Sequence, residues 1–133
     1  MWDMKTLYQR LTKSSEPFDK AELTSYEYID EIAIPTGCVY GDQTDIILYI
    51  TQRNGALILT DNGRTRAYMD KVFELQENDV IKNIMAAANY YGISTKDKQL
   101  SLTIESMDSE FKENFLRMVY CIGFLDIMKV FYV

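Results

Sequence analysis

The sequence contains no histidine, and this absence narrows the catalytic chemistry open to the chain. Without an imidazole, the commonest general base of enzymes is missing. The two cysteines, Cys38 and Cys121, have no candidate base beside them in the sequence. A serine or threonine nucleophile would need a lysine or aspartate partner, and no pattern in the chain identifies one. The residues therefore favour a protein that binds over one that catalyses.

Proline, glycine and long hydrophobic runs are also scarce. Two prolines and six glycines in 133 residues argue against long disordered tracts, and 47% hydrophobic residues suffice for the core of a single domain, 1–133. No run approaches the roughly 18 apolar residues of a membrane span, and the first ten residues do not form a signal peptide. The cysteines lie 83 positions apart in apolar surroundings, which is typical of reduced core thiols. These features predict a cytoplasmic protein.

Basic residues are nearly absent from one segment of the chain. Residues 16–45 contain one lysine and eight acids, whereas the net charge of the whole chain is −6. Such a segment repels phosphate and attracts a basic surface of another protein, so direct nucleic-acid binding is disfavoured. Ordinary solvated surface is the alternative interpretation. The predicted partner-binding residues are Glu22, Glu27, Asp30, Glu31, Asp42 and Asp45.

Hydrophobic periodicity predicts elements in the order α, three β, two α, β, α. Apolar spacing predicts a helix up to Lys13, and the alternation in SYEYIDEIAI predicts a strand with one wet face that ends at Pro35. DIILYIT and ALILT flank Asn54-Gly55, a pair that tolerates the positive φ of a two-residue hairpin turn. Helical patterns follow in RTRAYMDKVFEL and NDVIKNIMAAANYYG, and the second ends at Gly92.

The C-terminal part predicts one further strand in QLSLTIES and a long helix after it, with KVFYV as the apolar end of that helix or as a short edge strand. The expected class is α+β. It has an N-terminal helix, a three-stranded antiparallel meander with a hairpin, helices packed on one face, one further strand and a long C-terminal helix. Core packing is the preferred interpretation of GFLDIMKVFYV, and any part left outside the core is expected in a homodimer interface.

The corner Thr60-Asp61-Asn62-Gly63, between a predicted strand and a predicted helix, allows two interpretations. In the first, Asp61 caps the helix or forms an Asx-turn, and Gly63 adopts positive φ. Loss of the Asp61 side chain then costs about 0.5–2 kcal/mol, as for a helix cap. In the second, Asp42, Asp45 and Asp61 surround a divalent cation, because hard cations prefer clustered carboxylates.

The cation interpretation corresponds to a divergent metal-dependent nuclease. The order α-β-β-β-α-β is that of the restriction-endonuclease-like core, in which an acid at the head of the second strand, here Asp45, would suit the metal site. Such nucleases also need an acid, one further residue and a lysine on the next strand, which ALILTD lacks. This nuclease, or an inactive descendant of it, is the alternative function.

Several motifs resemble a bacterial and phage family whose catalogue name is domain of unknown function eighteen twenty-eight. The family is marked by an Ile-x-x-Pro stop, a Gly-Asp pair before an Ile-x-x-Tyr strand, and a Leu-Thr-Asp-Asp-Gly corner leading into a helix. The matching positions, in a similarity that runs from about residue 25, are Ile32 and Pro35, Gly41 and Asp42, Ile46 to Tyr49, and Leu59, Thr60, Asp61, Asn62 and Gly63. The sequence departs from the family pattern at two positions. Asn62 stands where the family usually has a second Asp, and Arg64 stands where an aromatic residue often follows the Gly.

The resemblance implies a fold and a context rather than a chemistry. Proteins of this family look like accessories of mobile elements, which implies the cytoplasm of a bacterial host. We therefore hypothesise a non-enzymatic acidic protein-binding module of a phage or mobile element. Its expected partner is a host nucleic-acid-binding protein with a basic surface, for example a CRISPR nuclease of anti-phage defence, which it would inhibit or regulate. No cofactor is expected.

Overall fold

A computed structural model of the chain describes residues 2–26, 29–72 and 77–128. These residues form four α-helices and five β-strands, which confirms the α+β class and the N-terminal and long C-terminal helices. The helices are α1 (Met4–Thr12), α2 (Arg64–Val72), α3 (Glu77–Tyr91) and α4 (Ser109–Met128); the strands are β1 (Glu22–Tyr26), β2 (Ile29–Val39), β3 (Asp45–Arg53), β4 (Ala56–Thr60) and β5 (Ser101–Ile104). None of the helices in this described part is both long and apolar enough to cross a bilayer.

The chain divides into two compact units. The first unit comprises Met1–Thr60 and Thr103–Glu105, and the second comprises Asp61–Leu102 and Ser106–Val133. The first unit therefore contains α1 and β1 to β4, together with the end of β5. The second unit contains α2, α3 and α4.

The sheet runs in chain order, β1-β2-β3-β4-β5, and each of the first three pairings is antiparallel. Asn54 and Gly55 join β3 to β4 with φ of 53° and 79°, so the predicted hairpin is confirmed. Successive side chains of a strand point to opposite faces. In the first unit, one face of the sheet carries the fully buried residues Ile32, Ile34, Ile46, Leu48, Ile50, Leu57 and Leu59.

Helix α1 packs on the first unit's sheet through its apolar side, and Trp2, just before the helix, exchanges two hydrogen bonds with the Gln52 side chain of β3. Its buried residues are Met4, Leu7 and Leu11, as the helical spacing requires. Asp3 caps the helix by accepting hydrogen bonds from the backbone N–H groups of Lys5 and Thr6. The hydroxyl of Thr6 donates to the same carboxylate, and together these bonds hold the pKa of Asp3 below its ordinary value.

The sheet has five strands where the sequence predicted three plus one, because the segment before Pro35 forms two strands. The prediction placed one strand in SYEYIDEIAI, whereas β1 ends at Tyr26 and β2 starts at Ile29. The prediction that Pro35 ends this strand is wrong, since β2 continues to Val39. Pairing with β1 stops at Ala33, whereas Pro35 still pairs with Ile47 of β3, and the register with β3 shifts just beyond Pro35, a place where a proline is tolerated in a sheet.

The second unit is a packed set of helices. Its buried side chains include Met69, Val80, Ile84, Ala88, Phe111, Phe115, Met118, Ile122 and Leu125. Helix α3 ends at Tyr91, and the φ of 69° at Gly92, directly after it, confirms the predicted stop. The Arg117 guanidinium donates to the Tyr91 carbonyl oxygen, 3.3 Å away, which ties α4 to the end of α3. The C-terminal KVFYV segment lies outside the described residues.

Candidate functional site

The corner that follows β4 is organised by the Asp61 carboxylate, which is 1% exposed. Its Oδ1 accepts from the backbone N–H groups of Gly63, at 2.8 Å, and Leu100, at 3.0 Å. Its Oδ2 accepts from the N–H of Thr65, in the first turn of α2, at 3.1 Å. The Asp61 N–H in turn donates to the Leu100 carbonyl oxygen at 3.2 Å. One side chain therefore satisfies three backbone donors and joins the start of α2 to the segment before β5.

The backbone around Asp61 is as constrained as its side chain. Asn62 and Gly63 follow with φ of 55° and 78°, in the left-handed region. Asn and Asp enter this region more readily than other side chains, so Asn62 keeps the property of the second Asp that the family motif carries. A Cβ on Gly63 would lie 3.2 Å from the carbonyl oxygen of Lys98. Position 63 thus requires glycine for both conformation and space.

The negative charge of Asp61 acts on one thiol, that of Cys121, which is unreactive. Cys121, on α4, is 0% exposed. Burial, and secondarily the negative charge of Asp61, raises the pKa of the Cys121 thiol to about 12. Because the thiolate is the nucleophilic form, Cys121 is a core residue at neutral pH and has no role as a nucleophile.

A cavity of about 90 Å³ adjoins the corner within the second unit. It is lined by Asp61, Arg66, Ile81, Ile84, Met85, Thr95, Lys98, Gln99 and Leu100. The Arg66 Nε lies 3.8 Å from Asp70 Oδ2, one turn later on α2, so an ion pair balances its charge. This volume is below the roughly 300 Å³ at which pockets for small-molecule ligands begin, whereas a more open pocket of about 340 Å³ lies against Asn62 and Gly63 of the same corner. The role of Asp61 itself is architectural, because both of its carboxylate oxygens accept backbone hydrogen bonds.

The carboxylates of the cation interpretation have other structural roles. Asp42 closes the turn between β2 and β3, where its Oδ1 accepts from the Thr44 N–H at 3.0 Å and from the Thr44 hydroxyl at 2.6 Å. Asp45 is an exposed residue at the start of β3, and both oxygens of Asp61 already accept backbone bonds. Across residues 2–26, 29–72 and 77–128, no group of three or more Cys, Asp or Glu could hold a metal ion. The described geometry gives the nuclease alternative no ligand set.

The predicted partner-binding acids divide between different parts of the first unit. Glu22 pairs with Ala33, and Glu31 is two residues before Ala33, so the register places both acids on one face of the sheet. Tyr49 also pairs with Ala33, and Asp45 lies four residues before Tyr49 on β3, so Asp45 points to the same face. Among the remaining candidates, Asp30 lies on the opposite face and accepts from the Ser25 hydroxyl, Asp42 lies in a turn, and Glu27 is outside the described residues.

The face that carries these three acids also carries apolar side chains that are only half-buried. We call it the acidic sheet face and define it by Glu22, Glu31, Ala33, Asp45, Ile47, Tyr49 and Ile58. Glu22 and Asp45 are exposed, and the other five are half-buried, whereas the opposite face is fully buried at its centre. The same side of the sheet also carries the buried Thr51 and Thr60 and, at the end of β3, the exposed Arg53. Glu22, Ala33 and Tyr49 lie side by side on three neighbouring strands, so about 10 Å separates the first from the last.

No separate signal in the sequence marks the apolar part of this face. Ile47 and Tyr49 lie in DIILYIT, where both parities are apolar, so the pattern indicated a strand buried on both sides. The parity of Glu31 did predict a wet face, and β2 presents Glu31 on that side. Tyr49 shares the face of Glu31 through the pairing of Ala33 with Tyr49, and the sequence alone does not define this β2–β3 register.

Comparison with known proteins gives one family match. Residues 36–124 match the model of a family described as Domain of unknown function DUF1828. The match contains the Gly41-Asp42, Ile46 to Tyr49 and Leu59 to Gly63 motifs and begins after the Ile32 and Pro35 motif. No curated protein and no solved structure matches the chain. The family description assigns no activity, so function rests on the geometry above.

Proposed function

The chain belongs to the DUF1828 family, and we propose that it is a non-enzymatic protein-binding module whose acidic sheet face docks on a basic surface of a partner protein. The proposal is carried by one observation: exposed carboxylates and half-buried apolar side chains occupy the same face of the sheet. Glu22 and Asp45 supply the charge, and Tyr49, Ile47 and Ile58 supply the apolar surface.

This combination suits a protein partner better than a nucleic acid. Protein interfaces combine an apolar, aromatic-rich centre with a polar, charged rim, and Tyr49 on β3 with Glu22 two strands away on β1 has that arrangement. Phosphate would be repelled by the carboxylates, whereas lysine and arginine side chains would pair with them. Charge attraction of this kind mainly accelerates association and makes it sensitive to salt.

The partner expected from this chemistry is a protein that itself binds nucleic acid. Nucleic-acid channels are lined with basic residues that accept a negatively charged surface in place of phosphate. In the mobile-element context that the motifs implied, such a partner is a host defence or regulatory protein, which the chain inhibits by occupying its channel.

The test is a capture experiment on host lysate with three forms of the protein. The first is wild type, and the second reverses the face charges by Glu22→Lys, Glu31→Lys and Asp45→Lys. The control makes the same change in charge at exposed acids elsewhere: Asp19→Lys, Glu105→Lys and Glu113→Lys. We expect wild type and control to retain one basic protein that elutes at about 0.5 M salt, where the Debye length is only a few ångströms.

Retention alone does not support the proposal, so the captured protein is then assayed for nucleic-acid binding. Wild type and control should compete with its nucleic acid, and the face variant should not. Equal capture by the face variant, or capture without competition, would overturn the proposal. Circular dichroism and thermal melting of all three forms establish that each is folded.

A further inference from the structure

Helix α4 is apolar on two sides, although only one of them is covered. One side contributes Phe111, Phe115, Met118, Ile122 and Leu125 to the core of the second unit. On the other side, four large apolar residues are about half exposed: Leu116 (48%), Tyr120 (59%), Phe124 (46%) and Ile127 (62%). Together with Gly123 we call them the α4 stripe. They extend along three turns of one helix and form a single patch.

The spacing along the stripe is that of a helix–helix seam. Leu116, Tyr120, Gly123 and Ile127 are separated by four, three and four residues, which is the d-a-d-a order of a heptad. Phe124 flanks this seam at the next position. At 3.6 residues per turn these residues occupy one side of the helix, so a second helix can contact all of them at once.

The seam is also complementary to itself when the second helix runs in the opposite direction. In an antiparallel pair, positions d of one helix face positions a of the other, so Leu116 meets Ile127 and Tyr120 meets Gly123 of the second copy. A Cβ built on Gly123 would have nothing within 4 Å, so there is open space above this residue. The large Tyr120 ring thus faces the smallest residue of the seam, and the arrangement repeats about a two-fold axis.

We propose that the α4 stripe is the interface with a second copy of this chain, which forms an antiparallel α4–α4 pair. The four apolar side chains expose on the order of 450 Å² per copy, which lies in the range of the largest and often functional patches of monomers. This area is more than half of the roughly 800 Å² that each partner contributes to a standard interface. With about 900 Å² from both copies together, the interface belongs to the weak, reversible class, so the dimer is expected to form only at high protein concentration. This inference is independent of the proposed partner of the acidic sheet face.

The first test is the molar mass of the full chain in solution, measured by light scattering and by sedimentation. Wild type should change from about 15.5 kDa at low concentration to twice that mass at high micromolar concentration. Tyr120→Glu should weaken self-association by at least about tenfold, since it places a charge at the centre of the seam. The matched control is Tyr90→Glu, at an 83% exposed tyrosine on α3, which should associate like wild type.

Gly123→Ala separates an effect on the dimer from an effect on the fold. The added methyl group meets open space within the chain, so the variant should fold at least as well as wild type, while it fills the space that Tyr120 of the second copy occupies. We therefore expect an unchanged or higher melting temperature at low concentration, together with weaker self-association.

Cross-linking tests the direction of the pair in a Cys38→Ser background, because Cys38 is exposed. Mixing the single variants Leu116→Cys and Ile127→Cys should give a disulfide-linked heterodimer, whereas each alone should stay largely unlinked. Monomeric wild type at high concentration, or a Tyr120→Glu variant that dimerises like wild type, would overturn the proposal. Cross-linking of each single variant to itself would refute the antiparallel arrangement.

Discussion

Replacing Asp61 with alanine should destabilise the fold by more than the loss of a helix cap. Three backbone N–H groups lose their acceptor, and two of them, on Thr65 and Leu100, belong to buried residues. Each buried donor left without a partner costs about 1–3 kcal/mol, so we expect a loss of about 2–6 kcal/mol in the free energy of unfolding. An ordinary helix cap contributes about 0.5–2 kcal/mol, so the expected loss begins where the contribution of a cap ends.

Asp61→Asn provides the graded comparison, because it keeps the shape of the side chain. Its amide oxygen can occupy the place of Oδ1 and keep the bonds from Gly63 and Leu100. Its amide nitrogen cannot accept from Thr65, so one buried donor is lost, at about 1–3 kcal/mol.

Urea unfolding of wild type, Asp61→Asn and Asp61→Ala measures the order directly. The reasoning predicts decreasing stability in that order with similar m-values. An alanine variant that loses less than about 2 kcal/mol would refute it, because an ordinary helix cap has that effect. Equal losses in the two variants would instead show that the Thr65 bond carries the whole contribution.

Three further predictions follow from the same geometry. In chemical unfolding, Gly63→Ala should lose more stability than Gly37→Ala. Both residues have φ near +80°, but of the two only Gly63 has a neighbouring atom, the Lys98 carbonyl oxygen, where a Cβ would lie. Equal losses in the two variants would contradict this prediction. The raised pKa of Cys121 lets the folded state keep a proton that the unfolded chain loses, so wild type should lose more stability between pH 9.0 and about 12 than Cys121→Ala. Mg²⁺ or Mn²⁺ should leave the melting temperature unchanged, and a shift that Asp45→Ala abolishes would restore the nuclease alternative.

Much of the fold could be predicted because local chemistry determines it. The Asn54-Gly55 turn, the Gly92 helix stop and the long helix α4 depend on residues close to each other in the chain. The separation of β1 from β2 depends on pairing between strands. Pro35 indicated a stop, but it lies beyond the paired length of β1 and at the last position of β2 before the register with β3 shifts.

The candidate surfaces were less predictable than the elements that carry them. Acid content pointed to residues 16–45, but only the register shows that Glu22 and Glu31 share a face and that Asp30 does not. Asp61 was recognised as a corner residue from its neighbours in sequence. Its bond to Leu100, 39 residues away, follows from tertiary structure alone and accounts for most of the difference from an ordinary cap.

The separation between Asp61 and Leu100 has a consequence for how the chain folds. Helix α2 has nine residues, which is too short to be stable alone in water, and its first turn depends on Asp61. The carboxylate is fully satisfied only when a 39-residue loop has closed, at an entropic cost of about 3 kcal/mol. During synthesis, the β3–β4 hairpin can form as soon as it leaves the ribosome, while the corner directly after it must wait until the start of β5 has emerged. The two ends of β4 should therefore acquire protection from hydrogen exchange at different times, the hairpin turn first and the Asp61 corner last.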